Sequence, residues 1–308
     1  MKYEIKINMA DEASGTINLK RFEIIAESIR KISEGALQIR LKGISAPKRP
    51  RKVELEKALN INLTGIKKGS TCLELEAEPF EKTLGNYQMD VFRQETQKEL
   101  PKLTPMSLFM NTYTEALKEN PSSDLLDKPL LRELKNYRKA FLTEKETMVF
   151  SNQGTQKSIT LNKATFDKIR ILEEELPNPK PVLIRGKVEL LKYSKQKVTI
   201  QTDEGMINGF INDDIKPEEI GKYWGKEITV AGTAHYKPGG KSIIEIDRFA
   251  EPEAGDEYFS KKPQAETVNQ QIARQFQEGK SPNALGDLVG KWPGDETDEE
   301  FEQLLREI

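Results

Sequence analysis

The run Val182-Leu-Ile-Arg-Gly-Lys-Val-Glu-Leu-Leu191 opens a series of β-type segments. The series continues through Lys197-Val-Thr-Ile-Gln-Thr202, Met206-Ile-Asn-Gly-Phe-Ile211, Glu227-Ile-Thr-Val-Ala-Gly-Thr-Ala234 and Ser242-Ile-Ile-Glu-Ile246. Turn signals and one short helical stretch separate these β-type runs, which is how strands rather than helices punctuate a chain. One short helix is expected over residues 216–224, before the fourth strand. Five strands packed so closely in sequence predict a small, partly closed barrel over residues 182–250, because closure removes the edges that a short open sheet would expose.

An OB-like barrel is one option for this segment. Upstream, Leu176-Pro-Asn-Pro-Lys-Pro181 places three prolines in five positions, an extended spacer that marks a boundary. Residues 1–176 read as an α+β domain. Tyr3, Ile5 and Ile7 alternate with polar neighbours as a half-buried strand does. Leu19, Phe22, Ile25, Ala26, Ile29 and Ile32 then fall at helical spacing, with Gly35 placed as a stop, and Leu37, Ile39 and Leu41 restore the alternation of a strand. The segments 61–63 and 71–76 form a hairpin around Lys67-Lys68-Gly69-Ser70. Further helices are expected around Leu108–Leu117, Leu130–Phe141 and, capped by Asn162, over residues 163–174. Short strands fit residues 148–150 and 158–161. The fold class is therefore α+β, joined to a β-barrel.

Beyond the barrel, residues 251–281 are rich in Glu, Gln, Lys, Asn and Pro, with few and widely spaced apolar residues. This composition reads as a flexible tether carrying a transient helix around residues 267–277. Residues 282–308 form a separate helical tail. Leu285, Leu288, Val289 and Trp292 recur at helical spacing, and Phe301, Leu304, Leu305 and Ile308 repeat the pattern. Thr297 followed by Glu300 matches a capping box for the second helix.

The chain has 308 residues, 48 Lys and Arg against 50 Asp and Glu, and a formal net charge of −2. That balance argues for neither a strong polyanion binder nor an acidic solvating protein. The distribution is uneven: residues 283–308 carry a net charge of −6 and the preceding residues +4. A single cysteine, Cys72, excludes an internal disulfide framework and fits a reducing, cytoplasmic compartment. The N-terminal residues alternate instead of forming the apolar core of a leader, and no run of apolar residues is long enough to span a membrane.

Catalytic patterns are weak. One histidine, His235, allows one base at most and no multi-histidine metal site, and its position opposite the apolar phase of its strand reads as a surface or edge histidine. The near match to a phosphate loop at Gly279-Lys280-Ser281 lacks the upstream glycine. Cys72 reads as a buried structural thiol. No enzyme activity, cofactor or metal is expected. Two basic features remain as nucleic-acid candidates: the loop carrying Lys48, Arg49, Arg51 and Lys52, with Lys42, Lys67 and Lys68 near it in sequence, and a barrel rim with Lys192, Tyr193, Lys195, Lys197, Tyr236 and Lys237.

Leu288-Val-Gly-Lys-Trp-Pro-Gly-Asp-Glu-Thr-Asp-Glu-Glu-Phe-Glu-Gln-Leu-Leu-Arg-Glu-Ile308 resembles the C-terminal tails of bacterial type II antitoxins paired with PIN-domain ribonuclease toxins. The order Trp292, Gly294, Asp295, Glu296, Glu300, Leu304 carries the resemblance. It implies a tail that wraps a toxin and covers its active site, within a hetero-oligomer. Leu285, Leu288, Val289 and Trp292 would anchor in an apolar groove, with Trp292 as the hot spot. Phe301, Leu304, Leu305 and Ile308 would form a second anchor. Asp295, Glu296 and Glu299 would pair with basic residues of an RNA-binding toxin, and Arg306 or Lys291 would reach its acidic, metal-holding active site. The resemblance departs upstream, where no helix-turn-helix or swapped-hairpin head is recognisable, so DNA-dependent autoregulation is not implied.

Overall fold

The computed structural model describes residues 1–8, 15–47, 53–67, 71–84, 99–121, 124–152, 157–192, 196–212, 215–263 and 266–279. Residues 1–265 form one compact unit, and residues 266–308 a second. The first half is a five-stranded antiparallel sheet. Its strands are β1 (Lys2–Asn8), β2 (Ile61–Lys67), β3 (Thr71–Ala77), β4 (Thr147–Asn152) and β5 (Ile159–Leu161), in the order β2-β3-β1-β4-β5. Tyr3, Ile5 and Ile7 of the central strand are all buried, which is the face that alternation assigned to the core.

Helix α1 (Leu19–Lys42) packs against the same core. Its N-cap is Asn18, whose Oδ1 accepts the backbone N–H of Lys20 at 2.9 Å. The strand expected over Leu37, Ile39 and Leu41 is not formed; these residues continue α1. From Gly35 to Arg40 every residue is buried, between α4 (Pro105–Ala116) and α5 (Lys128–Asn136). A helix buried on all sides shows no 3.6-residue stripe, so its sequence mimics alternation. Gly35 is a packing glycine: a Cβ there would lie 3.0 Å from Leu130 Cδ1 and 3.3 Å from Ser45 Cβ. The helix stops at Gly43, left-handed at φ 90°, whose N–H returns to Ile39 O at 2.8 Å.

The remaining helices of this half lie close to the expected positions. They are α2 (Val53–Ala58), α4, α5 and α6 (Lys163–Glu175), the last capped by Asn162 and Thr165 in a reciprocal capping box, while α3 (Phe80–Thr83) is a short helix that the sequence reading did not expect. Phe109 of α4 centres an aromatic cluster, with the rings of Phe150, Tyr113 and Tyr137 at 4.9, 5.1 and 5.5 Å. Inside this core, Arg21 Nη2 meets Glu146 Oε1 at 2.6 Å and Arg21 Nε donates to Ala140 O at 2.9 Å. Glu146 Oε2 in turn accepts the N–H of Leu142 at 2.9 Å.

The second half is a closed barrel. Its strands are β6 (Lys180–Lys192), β7 (Lys197–Thr202), β8 (Gly205–Ile211), β9 (Glu227–Tyr236) and β10 (Ser242–Ala250), in the order β10-β8-β7-β6-β9. β8 and β10 are parallel and the other pairs antiparallel. Helix α7 (Pro217–Gly221), shorter than expected, lies between β8 and β9. Ile184, Val188, Val198, Ile200, Ile228, Val230 and Ile244 fill the interior. Within the segment read as a tether, residues 251–262 are bonded to the barrel: Thr229 Oγ1 donates to Asp256 at 2.5 Å, Asp203 N to Ser260 O at 3.0 Å, and Lys262 N to Glu204 at 2.8 Å. Helix α8 (Val268–Gln277) has the expected place, with Thr267 and Gln270 as its capping box. Among the described residues no helix is long and apolar enough to cross a membrane.

Candidate functional site

The tail residues Leu285, Leu288, Val289, Trp292, Asp295, Glu296, Phe301, Leu304, Leu305 and Arg306 lie outside the described residues. So do Lys48, Arg49, Arg51 and Lys52, and Tyr193 and Lys195 of the barrel rim. Of the other basic candidates, Lys67 is engaged elsewhere. Its Nζ bridges Glu4 at 2.6 Å and Glu74 at 2.9 Å across three strands, so it is a partner for carboxylates and not for a phosphate.

Lys192, Lys197 and Lys237 are brought together. Lys192 and Lys197 face each other as register partners across β6 and β7, and outward, because Leu191 and Val198 take the inward positions. Lys237 follows the last residue of β9, where the turn Lys237-Pro-Gly-Gly-Lys241 reverses the chain; its N–H donates to Lys241 O at 2.9 Å. Gly239 and Gly240 are both left-handed there, at φ 76° and 75°, which glycine adopts without strain. The α+β half roofs this end of the barrel. Ile44, just past α1, packs on Phe210 of β8 and Ile243 of β10. Gly43 belongs to the same contact, since a Cβ on it would sit 2.6 Å from Ile243 Cδ1.

Under that roof Lys237 is 7% exposed and Lys197 half-buried. Burial holds the ammonium of Lys197 below the usual lysine range, and the charges of Lys237 and Lys192 lower it further. Burial likewise lowers Lys237, against the pull of Asp127 and Asp124. Neither carboxylate touches it. Asp127 accepts the N–H of Ser45 at 2.7 Å, the Ser45 hydroxyl at 2.5 Å and the N–H of Leu130 at 3.0 Å, while Asp124 lies 3.8 Å from Lys241. The arrangement concentrates positive charge in a partly desolvated recess, which is chemistry for holding an anion.

The chain matches no protein-family model, no curated protein and no solved structure.

His235 corrects the expectation of a surface histidine. It points away from the barrel interior, as its strand phase requires, but beside its register partner Ile243 and against Glu245 of β10 it is only 6% exposed. Its Nε2 lies 3.2 Å from Glu245 Oε2, and Glu245 is 1% exposed. Cys72 is buried as expected, and burial pushes its thiol up, away from the reactive thiolate. Lys241 and Asp124 escaped the sequence reading; the signal for Lys241 was a Pro-Gly-Gly turn flanked by lysines. A separate apolar groove of about 400 Å³ runs between α1 and β2–β3, lined by Phe22, Ile29, Leu63 and Leu75 among others. Glu23, Glu27 and Arg30 also line it.

Proposed function

We propose that this chain is an antitoxin-type protein of a bacterial toxin–antitoxin pair, which binds and neutralises a PIN-type nuclease through residues 282–308 without catalysing a reaction itself. The observation that carries the reading is the ordered run Trp292, Gly294, Asp295, Glu296, Glu300, Leu304 within an acidic amphipathic segment. A further observation supports it. The single histidine is buried against Glu245 instead of facing a cleft. A buried lone thiol supports a cytoplasmic setting. The strand order of the barrel, its parallel β8–β10 pair and the helix between β8 and β9 support an OB-like reading of that half.

In this account the apolar stripes of the tail supply affinity, and Asp295 and Glu296 supply on-rate and register against a basic toxin surface. The test is a pull-down from the native host with the full chain and with a chain ending at Gln264, each eluate assayed for metal-dependent ribonuclease after denaturing separation and refolding. Recovery of a small nuclease by the full chain alone is the expected result. Equal recovery by both baits, or no nuclease with either, overturns the reading.

A further inference from the structure

We propose that the roofed end of the barrel, where Lys192, Lys197 and Lys237 converge, is a binding site for the phosphates of a single nucleic-acid strand. β6 and β7 supply a directly paired Lys192 and Lys197, Lys197 is the register partner of Phe210 on β8, and Phe210 packs with Ile243, the residue of β10 beside the turn that carries Lys237. The α+β half closes the recess from one side through Ile44, Phe210 and Ile243. Among the described residues neither Lys197 nor Lys237 has a carboxylate within 4 Å, and the nearby Asp127 already serves three donors in its own half. Taking ammonium groups out of water has a cost, and burial lowers both Lys197 and Lys237, with the charges of Lys237 and Lys192 lowering Lys197 further. An anion entering the recess relieves it. A lone carboxylate offers one charge, whereas successive phosphodiesters offer one negative charge per residue along a line of lysines.

The surface beside the lysines selects the polymer over a free phosphate. On the same outward face of β6–β8, Leu190 and Met206 are 52% and 63% exposed, flanking Thr199 and Asn208, whose side chains hydrogen-bond at 3.0 Å. Unstacked bases present apolar faces and polar edges, which such a strip contacts; in a duplex those faces are stacked out of reach. The site lies within residues 1–265, on the barrel and the α+β half that roofs it, and is independent of the tail reading.

The test is fluorescence anisotropy of labelled homopyrimidine single strands, RNA and DNA, and of the matching duplex, over a salt series. The proteins are the full-length chain and its Lys237→Gln, Lys197→Gln/Lys237→Gln, Lys168→Gln and Trp292→Ala variants. A single strand is expected to bind in preference to the duplex, with affinity falling steeply as salt rises. The double variant should weaken binding at low salt by about tenfold or more and reduce the salt slope by about 1 per lysine removed. Lys168→Gln, on the exposed face of α6, should bind as the parent does, as should Trp292→Ala even if nuclease capture fails. Thermal unfolding of the double variant at or above the parental midpoint shows the loss to be local, since neutralising two desolvated cations removes repulsion. Unchanged affinity in the double variant, a preference for duplex, or competition for the lysines by inorganic phosphate with no oligonucleotide binding each overturns the proposal.

Discussion

At the scale of single residues, Tyr236 is the most direct probe of the barrel. Its ring belongs to the barrel core, its hydroxyl is buried, and that hydroxyl has no hydrogen-bond partner among the described residues. An unpaired buried hydroxyl costs about 1–3 kcal/mol, so Tyr236→Phe should raise unfolding free energy by roughly 1 kcal/mol in urea titrations at neutral pH. Burial also pushes the phenol up to about 12. The folded state therefore holds this proton more tightly than the unfolded chain, whose value is about 10. The resulting stability is complete below about pH 10 and is lost as pH rises towards 12, so the gain from Tyr236→Phe should widen over that window. Gly43 gives the opposite sign. Its left-handed φ of 90° and the 2.6 Å approach of Ile243 both reject a side chain, and Gly43→Ala should cost about 1–2 kcal/mol or more by the same titration. The glycines also show a limit of the sequence. Gly35 and Gly43 both follow apolar runs, and only the packing of Leu130 and Ser45 on Gly35 tells a contact from a stop.

At the scale of elements, period-two alternation made β1 legible, closely spaced β-type runs and turn signals made the barrel strands so, and Asn162 announced the start of α6 through its own side chain. The second half of α1 was illegible because α4 and α5 bury it all round. Equally illegible was the Arg21–Glu146 pair, whose members are remote in sequence and each unremarkable in a chain that is 32% charged. That pair ties α1 to the segment entering β4, and it carries a prediction of its own. Arg21→Met alone leaves Glu146 buried and uncompensated, and should cost about 3–5 kcal/mol. Arg21→Met combined with Glu146→Leu should recover most of the loss, so that a double-mutant cycle by chemical denaturation returns a large coupling. Additive losses would show that the two charges are solvated independently.

At the scale of the whole molecule, two cores meet at Ile44, Phe210 and Ile243, and the functional surfaces lie at and beyond that meeting. The barrel lysines were visible in the sequence as a rim, but their convergence depends on strand register and on a roof supplied by a distant segment, which no local pattern encodes. For the tail the reverse holds: the motif around Trp292 is read at the level of residues, and the fold adds only that the body of residues 1–265 is compact without it. A chain ending at Gln264 should accordingly melt with the full chain, within the few degrees that about 1 kcal/mol represents. The central claim is neutralisation of a nuclease by that tail, and the most direct measurement is RNA cleavage by the captured nuclease, titrated with the full-length chain or with Trp292→Ala. The account predicts that cleavage stops near one equivalent of tail per nuclease active site and persists with Trp292→Ala to at least tenfold higher concentration, roughly the 1.4 kcal/mol or more expected of a tryptophan anchor. Cleavage that continues undiminished with the full-length chain, or that both proteins suppress equally, would contradict it.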